Sequence, residues 1–489
     1  MLHTAAGRCR LRRTPLLVGG KGPQVVSIAT THAVPDSKLD LDSSPARAFR
    51  QPLNAADRLM LVAHNGMRRL GHCGFLCQTH VWLKGRLDLD ALRRAVAKLH
   101  QDYPILSARL VTPGDKSAPY WQSESRSEVD LREATLDGSD NAAVWHYAEN
   151  LFTEPLDLHQ QAPIAFHLLH WPDARDVLIV RFSHALMDGK APEFMLSELN
   201  RRHESARTSP LTDQLKSCTT GSDEMADYLD RFDRRHRLRA ALRVVGSHIK
   251  LPVRSATLAQ QDEPSWITEP TRILVRTLDT DQTAALTERV KRLCGFANLA
   301  PAVLAGIFRA IHFLTPHKEH RRSGFKTDVP LNLRPPGIAE PIFRNFMSFI
   351  QMSAMEAEMG DRDQLTRTLN AKMRDQLRRG IDLGNLQMMA IMARHEKLLA
   401  RHLLERMRKD PIALGFGFLG PVIPGLETFL DQEVEWLYTL NSALSPPGVV
   451  LQVNQFRGRM NLILTYISEA VPEPLAESFL DTIMEDLLA

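Results

Sequence analysis

Between Val81 and Val111 the apolar pattern changes period twice in one stretch, "VWLKGRLDLDALRRAVAKLHQDYPILSARLV". It opens as a strand, makes a short turn, and then repeats Leu89, Leu92, Val96 and Leu99 at helical spacing. After Pro104 it becomes extended again. A strand-helix-strand unit of this kind restricts the chain to a mixed α/β (α+β) architecture. The same mixture recurs further on. "PLDLHQQAPIAFHLLHWPDARDVLIVRFSHALMDG" reads as two strands joined by a turn around Pro172 and Asp173. "TRILVRTLDTDQTAALTERVKRLCGFANLAPAVLAGIFRAIHFL" reads as strand, helix, turn and buried helix. "GVVLQVNQFRGRMNLILTYIS" is a hairpin turning at Arg457 and Gly458. No repeat of fixed short period is present.

A chain of 489 residues exceeds one ordinary core, so two packed domains are expected. The texture changes after residue 201, where "RRHESARTSPLTDQLKSCTTGSDE" is polar and aperiodic. The division that follows is an extension over 1–45, a first lobe over 46–205, a linker with a basic helix over 206–265, and a second lobe over 266–489. Within the linker, Leu238, Ala241, Leu242, Val245 and Ile249 fall on one helical stripe with arginines opposite. That helix is either a surface helix with a solvated basic face or a contact for a membrane surface or an acidic partner.

Composition excludes several functions. Apolar residues at 44% and charged residues at 24% are ordinary for a globular protein. A net charge of +4, with no zinc-finger spacing and no aromatic-rich basic platform, argues against nucleic acid as a partner. Five cysteines, Cys9, Cys73, Cys77, Cys218 and Cys294, make no disulfide framework and point to a cytoplasmic setting. "HCGFLCQTH" holds two Cys and two His, but its spacing is not a zinc pattern and it runs on into a strand, so no metal is expected. The best apolar run, "APAVLAGIFRAIHFL", is interrupted by Arg309 and is too short for a membrane span. The first 35 residues carry Arg8, Arg10, Arg12, Arg13 and Lys21 and no continuous apolar segment. They read as a disordered extension or an early start codon rather than a targeting peptide.

The chemistry concentrates in "RDVLIVRFSHALMDGKAPEF", residues 175–194. Leu178, Val180, Phe182 and His184 share one face of the strand, and Ile179, Arg181 and Ser183 the other. A histidine presented from an apolar wall suits a general base, because a neutral imidazole can take a proton from a hydroxyl or amine attacking a carbonyl. Asp188 can act as an anchor, Gly189 lets the backbone turn tightly, and "APEFMLSEL" starts a helix with Pro192 in its first turn. The chain has no phosphate-binding loop, no dinucleotide fingerprint and no G-x-S-x-G elbow.

"SHALMDG" resembles the HHxxxDG motif of the chloramphenicol acetyltransferase-like superfamily, which includes condensation domains, wax ester synthases, polyketide-associated and alcohol acyltransferases and the plant-type BAHD enzymes. "LDLDALRRAVAKLHQDYPILSARL", "EPLDLHQQAPIAFHLL", "VPLNLRPP" with "RNFMSFI", "GFLGPV" and "PPGVVLQVNQFRGRMNLILTY" resemble its other segments in the same order, from about residue 48 to the end. Two departures stand out. Ser183 replaces the first histidine of many members, and "GFGFLG" stands in loosely for the DFGWG signature.

The resemblance implies two similar lobes, each a mixed sheet flanked by helices, with an interlobe tunnel. It implies His184 as general base, Asp188 and Gly189 as structural residues of the site, and Arg334 of "LNLR" as the arginine that Asp188 faces. Asn345 and Gly420 are its substrate-binding candidates. The expected reaction is direct transfer of an acyl group from coenzyme A or an acyl carrier protein to an alcohol or amine, by a monomer that needs no cofactor. A carrier-dependent amide-forming condensation enzyme and a non-catalytic binding or scaffold protein on the same fold are the alternatives. Ser183, on the opposite strand face from His184, is not expected to be a nucleophile.

Overall fold

The computed structural model describes residues 49–489 except 70, 115–116, 124–128, 137–140, 173, 209–223, 251–254, 260–270, 316–323, 336, 396–410 and 444–445. The extension over 1–45 and the polar segment 209–223 lie outside the described residues.

In chain order the strands are β1 Phe49–Pro52, β2 Leu76–Leu83, β3 Arg109–Val111, β4 Tyr120–Ser123, β5 Asp130–Thr135, β6 Ile164–His170, β7 Asp176–Ser183, β8 Thr271–Leu278, β9 Gly324–Asn332, β10 Met347–Met355, β11 Gly415–Pro421, β12 Thr428–Phe429, β13 Gln432–Asn441, β14 Val449–Phe456 and β15 Arg459–Ile467. The helices are α1 Ala55–Arg69, α2 Leu89–Asp102, α3 Asn141–Leu151, α4 Ala191–Thr208, α5 Glu224–Asp230, α6 Arg234–Lys250, α7 Thr280–Cys294, α8 Ala300–Leu314, α9 Arg362–Arg378 and α10 Ile381–Met392, followed at the end of the chain by Glu473–Leu488. The fold is mixed α/β, with sheets flanked by helices.

The first lobe is built on a six-stranded sheet ordered β12-β13-β2-β7-β6-β5, in which β5 and β6 run parallel and the other pairs antiparallel. β2 and β7 are central and buried on both faces, which explains why both read as nearly continuous apolar runs. The helix expected over Leu89–Leu99 is α2, entered through Asp88, whose side chain accepts from the backbone N–H groups of Asp90 and Ala91. Leu92, Ala95, Val96 and Leu99 form its buried stripe. The strand after it, β3, does not return to the sheet of β2; it pairs with β4, which also pairs with β1, in a separate three-stranded sheet.

The second lobe has a four-stranded sheet ordered β11-β14-β15-β8 around the buried helix α8, with β9 and β10 as an antiparallel pair beside it. The hairpin of β14 and β15 turns at Arg457 and Gly458 with positive φ at both, 51° and 74°, the conformation that matches a tight turn to strand twist. α8 is the apolar "APAVLAGIFRAIHFL" run: a core helix of 15 residues. No described helix is long and apolar enough to cross a membrane.

Two placements are not legible in the linear sequence. β13, from the second half of the chain, joins the six-stranded sheet by pairing with β2, Leu437 opposite Val81. Without that strand β2 would present a row of unpaired backbone groups. The stripe on α6 is also placed differently. Ala240, Ala241 and Val244 are buried, whereas Leu238, Leu242 and Val245 are 58%, 61% and 44% exposed. The buried side packs closely on α10: a Cβ at Gly384 would lie 2.4 Å from the carbonyl oxygen of Ala240 and 2.6 Å from Val244 Cγ2, so position 384 admits only glycine.

Candidate functional site

His184 is the first residue beyond the C-terminal end of β7. The strand breaks there into a turn, with the Leu186 N–H donating to the Ser183 carbonyl, and the His184 N–H donates across to the carbonyl of Phe75, just before β2. The Phe75 ring lies against the imidazole, centroids 4.7 Å apart and planes tilted by 34°. His184 is 8% exposed. Burial lowers its pKa from the ordinary value, opposed by its own backbone carbonyl, the charge of Asp188 and the side chain of Asn345. The ring is therefore neutral at neutral pH and able to accept a proton.

The rest of the motif is an anchor. Asp188 Oδ1 accepts from the backbone N–H groups of Lys190 and Ala191, capping the start of α4. Its Oδ2 accepts from Arg334 Nη1 at 2.7 Å and from the Phe346 N–H at 2.9 Å. Arg334 is itself fully engaged: Nε and Nη2 donate to the Pro341 carbonyl, Nη2 also to that of Arg344, and Nη1 also to Asn332 Oδ1. The structure thus brings Asp188 and Arg334, 146 residues apart, into one buried pair that ties the turn after β7 to the segment between β9 and β10.

Gly189 packs against β11, where an added Cβ would come within 3.0 Å of Leu419 Cδ2. Lys190 reinforces that junction by donating to the Leu419 and Pro421 carbonyls and pairing with the buried Glu193, whose carboxylate accepts the Ile423 N–H. Gly420 lies between these anchors, at the bulge of β11 and with φ of 68°, a conformation that favours glycine. Its strand borders the motif.

Asn345 reaches the imidazole directly. Its Oδ1 lies 3.2 Å from His184 Nδ1, and its Nδ2 donates to the His184 carbonyl at 2.8 Å. Behind it is a residue that sequence reasoning missed, Asp57 of α1, whose Oδ1 accepts from both Asn345 N (2.7 Å) and Asn345 Nδ2 (3.0 Å). The signal was present in "NAAD" ahead of an apolar run. Asn54 and Asp57 form a reciprocal cap, the Asn54 N–H donating to Asp57 Oδ2 and the Asp57 N–H to Asn54 Oδ1. Nothing local indicates that the same carboxylate also serves a residue 288 positions away.

The Ser183 hydroxyl is directed at His64 of α1. It lies 3.4 Å from His64 Nδ1 and accepts the Ala185 N–H. The Phe75 N–H already donates to that same His64 nitrogen, whose other nitrogen lies against the Leu156 carbonyl, and both Ser183 and His64 are buried. The lone pair a serine nucleophile would need is taken. Among the described residues no group of three His, Cys, Asp or Glu is placed to hold a metal ion. Cys77 is buried within β2, and His80, also on β2, bonds to Gln78.

Residues 51–216 match the family model described as Condensation domain. No curated protein sequence matches the chain. Among solved structures, the EpoB cyclization-docking bidomain from Sorangium cellulosum is similar with a TM-score of 0.66 at 15% identity, covering 92% of this chain and 86% of that one. The starter condensation domain of rhizomide synthetase, in complex with C8-CoA and Leu-SNAC, gives 0.65 at 14% identity, covering 90% and 94%. The TRI3 trichothecene 15-O-acetyltransferase from Fusarium sporotrichioides gives 0.64 at 12%, covering 91% and 96%. The chain therefore shares the two-lobed fold of these structures, and its residues 51–216 match the Condensation domain model.

Proposed function

We propose that this protein is an acyltransferase in which His184 acts as general base. Its Nε2 removes the proton from a hydroxyl or amine as that group attacks an acyl thioester carried by coenzyme A or an acyl carrier protein; the tetrahedral intermediate then expels the thiolate, giving an ester or amide. The observation that carries this reading is the buried, neutral imidazole whose Nδ1 is occupied by Asn345 Oδ1, which leaves Nε2 as the basic nitrogen. Asp188 and Arg334 hold the turn that presents it and take no part in proton transfer. Similar folds bind C8-CoA in one solved structure and belong to an O-acetyltransferase in another, which supports a thioester donor.

Product analysis by mass spectrometry, after incubation with a panel of acyl-coenzyme A donors and mixed alcohols and amines, tests the reading. The expected outcome is an acylated acceptor whose formation falls at least about a hundredfold in His184→Ala, the scale of a lost general base. A folded His184→Ala protein that retains full turnover overturns it. The condensation-domain match favours a second reading, amide formation from carrier-bound donors. Products formed only from acyl carrier proteins, and none from acyl-coenzyme A, would select it.

A further inference from the structure

We propose that Asp57 is a positioning residue that sets the tautomer of His184 by orienting the side-chain amide of Asn345. The inference rests on the reading of His184 as the base and names what makes Nε2, rather than Nδ1, its basic nitrogen.

An asparagine amide can be turned end for end at little steric cost, so its orientation is decided by its neighbours. Asn345 Nδ2 faces two oxygens, Asp57 Oδ1 at 3.0 Å and the His184 carbonyl at 2.8 Å, and an NH2 group has one hydrogen for each. Turned the other way, the amide oxygen would face a carboxylate and a carbonyl with no proton between them. The amide oxygen is therefore committed to His184 Nδ1, and Nδ1 must carry the hydrogen. Nε2 is left with a free lone pair.

Asp57 is held for this task from several sides. Its Oδ2 takes the Asn54 N–H at 3.0 Å and lies 3.7 Å from Arg344 Nη1, its Oδ1 also takes the Asn345 N–H, and Asn54 Nδ2 donates to the Asn345 carbonyl. Burial pushes the Asp57 carboxyl up to about 7, while Arg344 and the surrounding N–H donors pull it down. The orientation survives protonation: Oδ1 receives two N–H groups and stays an acceptor, so a proton would reside on Oδ2. The competing account is that Asp57 merely caps α1 and that the His184 carbonyl, which also favours a charged ring, fixes the tautomer alone.

Long-range nitrogen-proton NMR on protein labelled with 15N-histidine separates the two at a pH where the ring is neutral, with the His184 signals assigned by their loss in His184→Gln. The expected wild-type spectrum has hydrogen on Nδ1 and none on Nε2. In Asp57→Ala the two tautomers should mix, and kcat for the acyl transfer should fall at least about tenfold with KM changed less than about threefold, the pattern of a group felt in the transition state rather than in binding. Asp57→Asn, which keeps an oxygen toward Asn345, should retain the wild-type tautomer. A wild-type hydrogen on Nε2 overturns the proposal, as does a folded Asp57→Ala protein with the wild-type tautomer. Should Asp57→Ala fail to fold, loss of the tautomer in folded Asp57→Asn overturns it in turn. The NMR readout needs no turnover, so failure to find acyl transfer with these tautomers intact would remove the functional reading and leave the positioning role standing.

Discussion

At the scale of single residues, the site is organised by two carboxylates with different tasks. Asp188 fastens the turn after β7 to Arg334 and to the start of α4, and Asp57 fastens α1 to Asn345. Removing one side of a buried charge pair strands the other, at a cost of about 3 to 5 kcal/mol. Asp188→Ala should therefore lower both the melting temperature and activity, because Arg334 is left buried with a single anionic partner missing; calorimetry beside turnover checks this. Ser183→Ala should behave differently. Its hydroxyl is directed at His64, whose Nδ1 already accepts the Phe75 N–H, so the variant should keep most of its activity, and intact-protein mass after addition of donor without acceptor should show no acyl adduct at Ser183.

At the scale of elements, close backbone approach decides which faces are buried. α6 and α10 meet through Ala240 and Val244 against Gly384, and Leu238, Leu242 and Val245 of α6 are left outside. Gly384→Ala pushes a methyl group to within 2.4 Å of a backbone oxygen. It should cost about 1 to 3 kcal/mol, the usual penalty for overpacking, whereas Leu242→Ser, on the exposed side, should stay within about 0.5 kcal/mol of wild type. Denaturant melts of the two variants distinguish them.

At the scale of the whole molecule, buried histidines set the response to acid. Desolvation lowers His64 to about 4 and both His80 and His167 to about 3. Between those values and the ordinary 6.5 the unfolded chain binds protons that the folded protein refuses, so the stability these groups contribute is present above pH 6.5 and is lost as pH falls. Asp57 acts in the opposite sense: raised to about 7, it keeps a proton in the folded state and its contribution is lost as pH rises toward 7. His184 is lowered by burial as well and Glu193 raised, so four buried histidines oppose two carboxyls, and the melting temperature should fall between pH 7 and pH 5. Replacing His80 and His167 together with Gln should flatten that dependence, as scanning calorimetry across the range would show.

The local sequence determined the elements and the anchor. Periodicity marks α2 and the hairpin of β14 and β15, and the apolar run before His184 marks β7, because these patterns report a face or a wall that local backbone geometry presents. The pairing of Asp188 with Arg334 was legible only through the resemblance of "SHALMDG" and "LNLR" to a known motif set. Only the tertiary structure decided that β13 closes the first sheet, that α6 buries its alanines, and that Asp57 and Asn345 meet behind His184. The physical reason is common to all three. A free strand edge, a gap only a small side chain fits and an amide's orientation are each satisfied by a partner that can come from any distance along the chain, and no local pattern records which partner that is.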